Sequence, residues 1–209
     1  PPYGSVAIGA VLPMAGDAIA PAGQDSVAWL SGRQDAVAAE WRDKLNRVGL
    51  KVPAAGRRMA DTLRSSLAHM LMTREGASLQ PGTRSYRRSW IRDGAMMSEA
   101  LLRLGQAGIA ADYLRWYAPY QFDNGKVPCC VDRRGADPVP ENDSHGQLIF
   151  LASELYRYTQ DRTALAEAWP RVDAAARYME TLRQSERVAG NLVPERRAFY
   201  GLMPASISH

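Results

Sequence analysis

Three features are scarce or missing in this sequence: cysteine, long apolar runs and blocks of one charge. Its two cysteines, Cys129 and Cys130, are adjacent, and neither the spacing of a paired zinc motif nor that of a disulfide framework occurs. Adjacent cysteines are poorly placed for a relaxed disulfide, so we expect two free thiols. The three histidines, His69, His145 and His209, are far apart along the chain. We therefore expect neither a metal site nor a cofactor.

No apolar run reaches the roughly 18 to 20 residues needed to span a membrane, so no membrane association is expected. Asp and Glu number 22 against 26 Lys and Arg, and the charges are not clustered, which argues against nucleic acid as a partner. With 46% hydrophobic residues, the 209 residues can build the core of an ordinary domain. The compartment is left open, and a secreted or periplasmic protein is one alternative.

Residues 1–24 predict the end of a preceding β region followed by a linker. Val6, Ile8, Ala10 and Leu12 alternate with other residues, as in a short strand, and the pattern ends at Pro13. Residues 13–23 are rich in Gly, Pro and Ala, which is typical of a linker. We place a domain boundary there and assign residues 25–209 to a second domain.

The second domain has the periodicity of helices and lacks strand signals. Two helices are predicted first, with apolar faces formed by Val37, Trp41, Leu45 and Val48 and by Met59, Leu63, Leu67, Met70 and Leu71. A third begins near Asp93, breaks between Gly105 and Gly108, and resumes to Trp116. A further helix is predicted over residues 144–159. After it, we place Thr163 at a helix cap and Pro170 in the first turn of a longer helix.

The connection from Pro119 to Asn142 is longer than most loops between helices. Loops longer than about 12 to 15 residues are usually functional or disordered. Five carboxylates occur in it or directly after it: Asp123, Asp132, Asp137, Glu141 and Asp143. We expect ligand contacts from this loop.

The segment at residues 85–94 combines aromatic, guanidinium and carboxylate groups and runs into a helix start. Sugars need this mixture, because an aromatic face packs against the apolar side of a pyranose while Arg and Asp bond its hydroxyls. Tyr86 and Trp90 are candidate platforms, and Arg92 and Asp93 are candidate ligands. The structural alternative is that Asp93 caps the helix and Arg92 pairs with a nearby carboxylate. Ordinary core packing is the alternative for the two aromatic residues.

The sequence Ser89-Trp90-Ile91-Arg92-Asp93-Gly94-Ala95 resembles the segment that opens an early helix in glucoamylase-like six-hairpin glycosidases. A second block, Pro140-Glu141-Asn142-Asp143 with the helix that follows it, is similar to the block that begins the next inner helix of that family. In the family the Arg-Asp pair holds the terminal glucose. The family usually has Gly directly after the Asp, whereas Ser144-His145-Gly146 follows here.

The resemblance implies an all-α fold that is part of an (α/α)6 toroid of helical hairpins. It also implies hydrolysis of an oligo- or polysaccharide, an α-glucan in the first instance, without a cofactor. About half of the toroid's twelve helices can be counted, so we expect the chain to be an incomplete part of a longer polypeptide. We expect its flanking segments to be covalently continuous with it and the segment alone to be inactive.

Glu141 and Asp143 are the carboxylates in the chain to test first as catalysts, although substrate binding or capping is the more frequent role of such residues. His145 is expected at the surface of a loop. The family's general acid is expected beyond this chain. Three alternatives stay open: phosphorolysis on the same fold, a polysaccharide lyase acting on a uronate polymer, and a helical-repeat scaffold that binds a protein.

Overall fold

An aspartate caps the start of the first helix. The computed structural model describes residues 4, 10–13, 16 and 25–207 and divides the chain into two units, residues 1–50 and 51–209. In the first unit, α1 spans Ser26–Leu45, and the Asp25 side chain accepts hydrogen bonds from the backbone of Val27 and Ala28. This is the arrangement that stabilises a helix start.

The predicted N-terminal strand is largely beyond what the structure describes. Val6 and Ile8 lie outside the described residues, and residues 10–13 have no regular secondary structure. The domain boundary predicted at residue 24 therefore stays a prediction.

The second unit is mainly helical. Its helices are α2 (Arg57–Thr73), α3 (Ile91–Arg103), α4 (Ala107–Tyr117), α5 (Ser144–Thr159) and α6 (Arg162–Ser185). Helices make up 61% of the structure, so the predicted helical character is confirmed. No helix among residues 25–207 is long and apolar enough to cross a membrane.

Two helical hairpins build the centre of this unit. Helix α3 packs against α4, α5 packs against α6, and α3 and α5 are also neighbours. The turn between α3 and α4 passes through Gly105, whose φ of 75° is accessible to glycine at little cost. The largest fully buried side chains include Tyr113, Tyr117, Ile91, Leu101, Leu148, Leu151, Val127 and Val131. The hairpins and the connection between them therefore share one hydrophobic core.

A small sheet corrects the expectation that strands are absent. Antiparallel strands β1 (Ser89–Trp90), β2 (Cys130–Asp132) and β3 (Gly135–Ala136) pair in that order. Strands of two or three residues are too short to show alternation in a sequence. They form because tertiary packing brings the 119–142 connection beside the start of α3.

The start of the last helix was also predicted wrongly. Helix α6 begins at Arg162, and Pro170 lies inside it and not in its first turn. Asp161, not Thr163, is the cap, because its carboxylate accepts hydrogen bonds from the backbone of Thr163 and Ala164. The Ala, Leu and Glu residues before Pro170 are strong helix formers, and they extend the helix upstream of the proline.

Candidate functional site

The N-terminal ends of α3 and α5 lie side by side and are joined through Arg92. Arg92 is the second residue of α3, and Asp143 directly precedes α5. Arg92 Nε lies 2.6 Å from Asp143 Oδ2, and Arg92 Nη2 lies 2.9 Å from Asp143 Oδ1. Because the two neighbouring helices meet at their N-termini, both present the positive ends of their dipoles to this point.

The Asp143 carboxylate is turned towards Arg92 and does not cap its own helix. Asp143 occupies the N-cap position of α5, but its side chain makes no capping hydrogen bond. The hydrogen bonds from Arg92 are the main cause that lowers the pKa of Asp143, and burial opposes them. The same carboxylate raises the pKa of Arg92. Arg92 and Asp143 therefore form an ionised pair joined by two hydrogen bonds, and this bidentate contact fixes the orientation of both side chains.

Glu141 adds a buried carboxylate to the same arginine. Its side chain is 4% exposed, and its Oε1 accepts from Arg92 Nη2 at 2.5 Å. The Nη2 that bonds Glu141 also bonds Asp143, so the two accepting oxygens lie closer together than the about 6.5 to 9.5 Å of an inverting acid–base pair. Asp143, which is held ionised, also lacks the retained proton that a general acid must supply. The geometry of this pair favours ligand positioning.

Asp93 lies in the first turn of α3, next to Arg92, Glu141 and Asp143, which we call the Arg92 cluster, and it does not cap the helix. The cap position is Trp90, and no side chain makes a capping hydrogen bond there. Burial raises the pKa of Asp93, while its own backbone N–H and Arg92 oppose the rise. The predicted pairing of Arg92 with a nearby carboxylate is therefore confirmed. The alternative prediction that Asp93 caps the helix is wrong.

Tyr86 and Trp90 form an aromatic pair just before α3. Their ring centroids are 6.0 Å apart at an angle of 51°. Tyr86 is 63% exposed, so its ring is not part of the core. The Arg88 guanidinium lies 5.6 Å from the centroid of the Trp90 ring. This contact occupies part of the Trp90 surface and leaves Tyr86 as the more accessible platform.

An open depression of about 680 Å³ adjoins the Arg92 cluster at Asp143. Its lining includes Asn142, Gln147, Phe150 and Met96 as well as Asp143. The volume is within the range of ligand pockets, and the wall combines apolar surface with a few polar groups, as such pockets do. Gln147 and Phe150 could not be predicted from the sequence, because their place in the lining depends on which face of α5 is exposed.

A second depression of about 520 Å³ is rich in arginine. Arg84, Arg87, Arg133 and Arg134 line it, with Glu75 and Asp132 as the acidic residues and Trp116 and Tyr120 as aromatic ones. Its guanidinium groups outnumber its carboxylates. The depression therefore suits an anionic ligand better than a neutral one.

Arg88 makes tertiary contacts that were not predicted from the sequence. Its Nη2 lies 2.7 Å from Asp137 Oδ2, and its Nε lies 3.0 Å from Asp132 Oδ2. The side chain of Arg88 thus joins the segment before α3 to the β2–β3 hairpin. Arg88 is one of several arginines in residues 84–92. The sequence does not distinguish it from the others, because its partners lie more than forty positions away.

Cys129 and Cys130 are free, buried thiols that lie beside Asp137. Their mutual hydrogen bond lowers the pKa of Cys129 and raises that of Cys130. Within residues 25–207, these three side chains are the one group whose ligand atoms converge as a metal site requires.

His145 is buried and does not lie at a loop surface as predicted. It is the second residue of α5 and is 1% exposed, and its Nδ1 accepts a hydrogen bond from the backbone of Val127. Its ring meets Tyr178 of α6 edge-on, with centroids 4.9 Å apart. Burial is the main cause that lowers its pKa, to about 4. The prediction failed because this face of α5 turns towards α6 and the loop.

No known protein family matches this sequence, and no characterised protein or solved structure is significantly similar to the chain.

Proposed function

We propose that this chain is part of a carbohydrate-active enzyme that hydrolyses glycosidic bonds in an oligo- or polysaccharide, in the first instance an α-glucan. In this proposal, the N-terminal ends of α3 and α5 hold one sugar unit. The observation that carries it is the contact of Arg92 with Glu141 and Asp143, which follow it by 49 and 51 positions. The two blocks that resemble glycosidase segments thus meet in space.

The helix arrangement supports the same proposal. In a six-hairpin toroid, inner helices run parallel to one another and outer helices return between them. Helices α3 and α5 have neighbouring N-termini, and α4 and α6 return alongside them. We propose that α3 and α5 belong to the inner ring of an (α/α)6 toroid and that α4 and α6 belong to the outer ring.

Each candidate site residue has a role in the proposal. Arg92, oriented by two carboxylates, directs its remaining N–H groups towards sugar hydroxyls, and Asp93 and Asp143 accept hydrogen bonds from those hydroxyls. Tyr86 and Trp90 offer ring surface to the apolar side of a pyranose. Glu141 and Asp143 lie too close together for an inverting pair, so an inverting reaction would take at least one catalytic carboxylate from elsewhere.

Isothermal titration with a panel of neutral oligosaccharides tests the proposal. We expect the wild-type protein to bind α-linked glucosyl oligosaccharides and Asp93→Asn to bind them at least about tenfold more weakly, because one charged hydrogen-bond acceptor is lost. Asp112→Asn is the matched control, since Asp112 is an exposed residue of α4 paired with Arg115. Equal, negligible binding by wild type and Asp93→Asn across the panel would contradict the proposal.

The arginine-rich depression favours a second candidate, a lyase that acts on a uronate polymer. Two of its four guanidinium groups, those of Arg87 and Arg134, are paired with carboxylates of the same depression, and the other two with two aromatic rings suit an acidic saccharide chain. Titration with uronate oligosaccharides and with neutral ones of equal length separates the candidates. Tighter binding of the uronates, weakened by Arg133→Gln but not by Asp93→Asn, would favour the lyase.

A helical-repeat scaffold gains no support from the 119–142 connection. That connection carries two strands of the sheet, and its residues Val127, Cys129 and Glu141 are buried. A folded loop with carboxylates next to a depression is arranged as a ligand site would be.

A further inference from the structure

Two thiols and a carboxylate converge at β2, which pairs with the strand that leads into α3. Cys129 is 1% exposed and Cys130 is 0% exposed. Their sulfur atoms are 3.7 Å apart, and Cys130 Sγ lies 3.8 Å from Asp137 Oδ2. One ligand atom of each residue lies within 4.8 Å of the others. The proposed sugar site uses none of these three groups.

Two of the three separations match those around a tetrahedral zinc ion. With Zn–S bonds of about 2.3 Å, two thiolates of one site are about 3.8 Å apart, and a carboxylate oxygen lies about 3.6 Å from each sulfur. The Cys129–Cys130 and Cys130–Asp137 distances agree with these values to within a few tenths of an ångström. Only Asp137 would have to approach Cys129 more closely, and it lies in a loop next to the two-residue strand β3.

The local charges also balance. Two thiolates and the Asp137 carboxylate carry three negative charges, and the Arg88 guanidinium lies 2.7 Å from that carboxylate. A divalent cation together with Arg88 neutralises them. Each thiol gives up one proton when the ion binds, so binding releases protons and weakens at low pH. Thiolate ligands select soft cations such as Zn²⁺, Cd²⁺ and Cu(I) over Mg²⁺ or Ca²⁺.

We propose that Cys129, Cys130 and Asp137 form a binding site for a soft, thiophilic cation, with Zn²⁺ as the physiological candidate. The sequence argued against a metal site because it has no paired cysteine spacing. The third ligand becomes available only when the β2–β3 hairpin folds, since the backbone N–H of Asp137 bonds the carbonyl oxygen of Cys130 at 2.9 Å. The ion would link this hairpin to the start of α3, because the backbone N–H of Ile91 bonds the carbonyl oxygen of Cys129 at 3.0 Å.

Titration of the reduced protein with Cd²⁺, followed by the ultraviolet sulfur-to-cadmium charge-transfer band, tests the site. We expect saturation at one Cd²⁺ per chain and displacement of the band by Zn²⁺. The band is expected to be lost in Cys129→Ser and Cys130→Ser and to need at least about tenfold more Cd²⁺ in Asp137→Asn. Asp123→Asn, which changes an exposed carboxylate of the same connection, should bind as the wild type does.

Circular dichroism and a melting curve for each variant separate loss of the site from loss of the fold. Where a cysteine variant is unfolded, alkylation of the wild-type thiols replaces it as the test, and bound Zn²⁺ should slow their reaction with iodoacetamide. The absence of a charge-transfer band in the folded wild-type protein would overturn the proposal. Unchanged affinity in Asp137→Asn would overturn the three-ligand assignment.

Discussion

Replacing Gly94 with alanine should destabilise the protein although it lies in a helix, where alanine is normally the better residue. A Cβ atom on Gly94 would lie 2.0 Å from Tyr113 Oη and 2.1 Å from Tyr113 Cζ. Carbon atoms in favourable contact are about 3.5 to 4.0 Å apart, so the overlap exceeds an ångström. The Tyr113 ring is completely buried, and its hydroxyl donates to the backbone oxygen of Trp90 at 3.3 Å.

Two opposing effects set the magnitude. Alanine gains about 1 kcal/mol over glycine in helix propensity, whereas overpacking a core costs about 1 to 3 kcal/mol and sometimes more. Because the obstacle is the hydroxyl end of a rigid, completely buried ring and not the end of a flexible side chain, we expect the upper end of that cost. The net loss in free energy of unfolding should be about 2 kcal/mol, or about 4 to 8 °C in Tm for a chain of this length.

Urea and thermal denaturation followed by circular dichroism measure the effect. Gly108→Ala is the matched control, because Gly108 is also helical and a Cβ there would have no neighbour within 4 Å. It should leave stability unchanged or raise it by up to about 1 kcal/mol. In a Tyr113→Ala background, the penalty of Gly94→Ala should shrink. A Gly94→Ala protein as stable as Gly108→Ala would refute the packing of α4 against α3 described above.

Three further predictions concern charged groups. Arg92→Ala should lower the free energy of unfolding by about 3 kcal/mol, because it removes the guanidinium from the buried Glu141 carboxylate. Urea denaturation tests this, and a loss below 1 kcal/mol would contradict it. Burial raises the pKa of Asp93 above its unfolded value, so ionisation disfavours the folded state. Asp93→Asn should therefore stabilise the protein at pH 7, and the gain should vanish below about pH 3.9. Burial lowers the pKa of His145 to about 4, so the unfolded chain takes up its proton first and stability falls as the pH drops from about 6.5 towards 4. His145→Asn, which retains an acceptor for the Val127 N–H, should lose that part of the pH dependence, up to about 3 kcal/mol; an unchanged pH profile would contradict this assignment.

The helices with strong local signals could be read from the sequence. The predicted helix over residues 144–159 agrees with α5, and the break between Gly105 and Gly108 agrees with the turn from α3 to α4. These elements have clear apolar periodicity and end at glycine or polar residues. Such signals are local, because they depend only on residues a few positions apart. The prediction of Thr163 as a cap and of Pro170 in the first turn of a longer helix is wrong, because Asp161 caps α6 and Pro170 lies inside it.

Features made by distant contacts could not be predicted in the same way. The pairing of Ser89 with Val131 and the burial of His145 both depend on how the 119–142 connection packs. The sequence named Arg92, Glu141 and Asp143 as candidate ligands, but only the packing of α3 on α5 places all three in one cluster. Whether that cluster binds sugar stays a prediction.

A double-mutant cycle on oligosaccharide binding tests the central claim most directly. Arg92→Lys retains the charge but loses the bidentate geometry, and Asp143→Asn removes the carboxylate that Arg92 bonds. If the two residues form one sugar-binding unit, each change should weaken binding by isothermal titration, and the double variant should bind no more weakly than the weaker single variant. The account would be contradicted if the losses in binding free energy of the two single variants simply add in the double variant. It would also be contradicted if the single variants are folded and bind as tightly as the wild type.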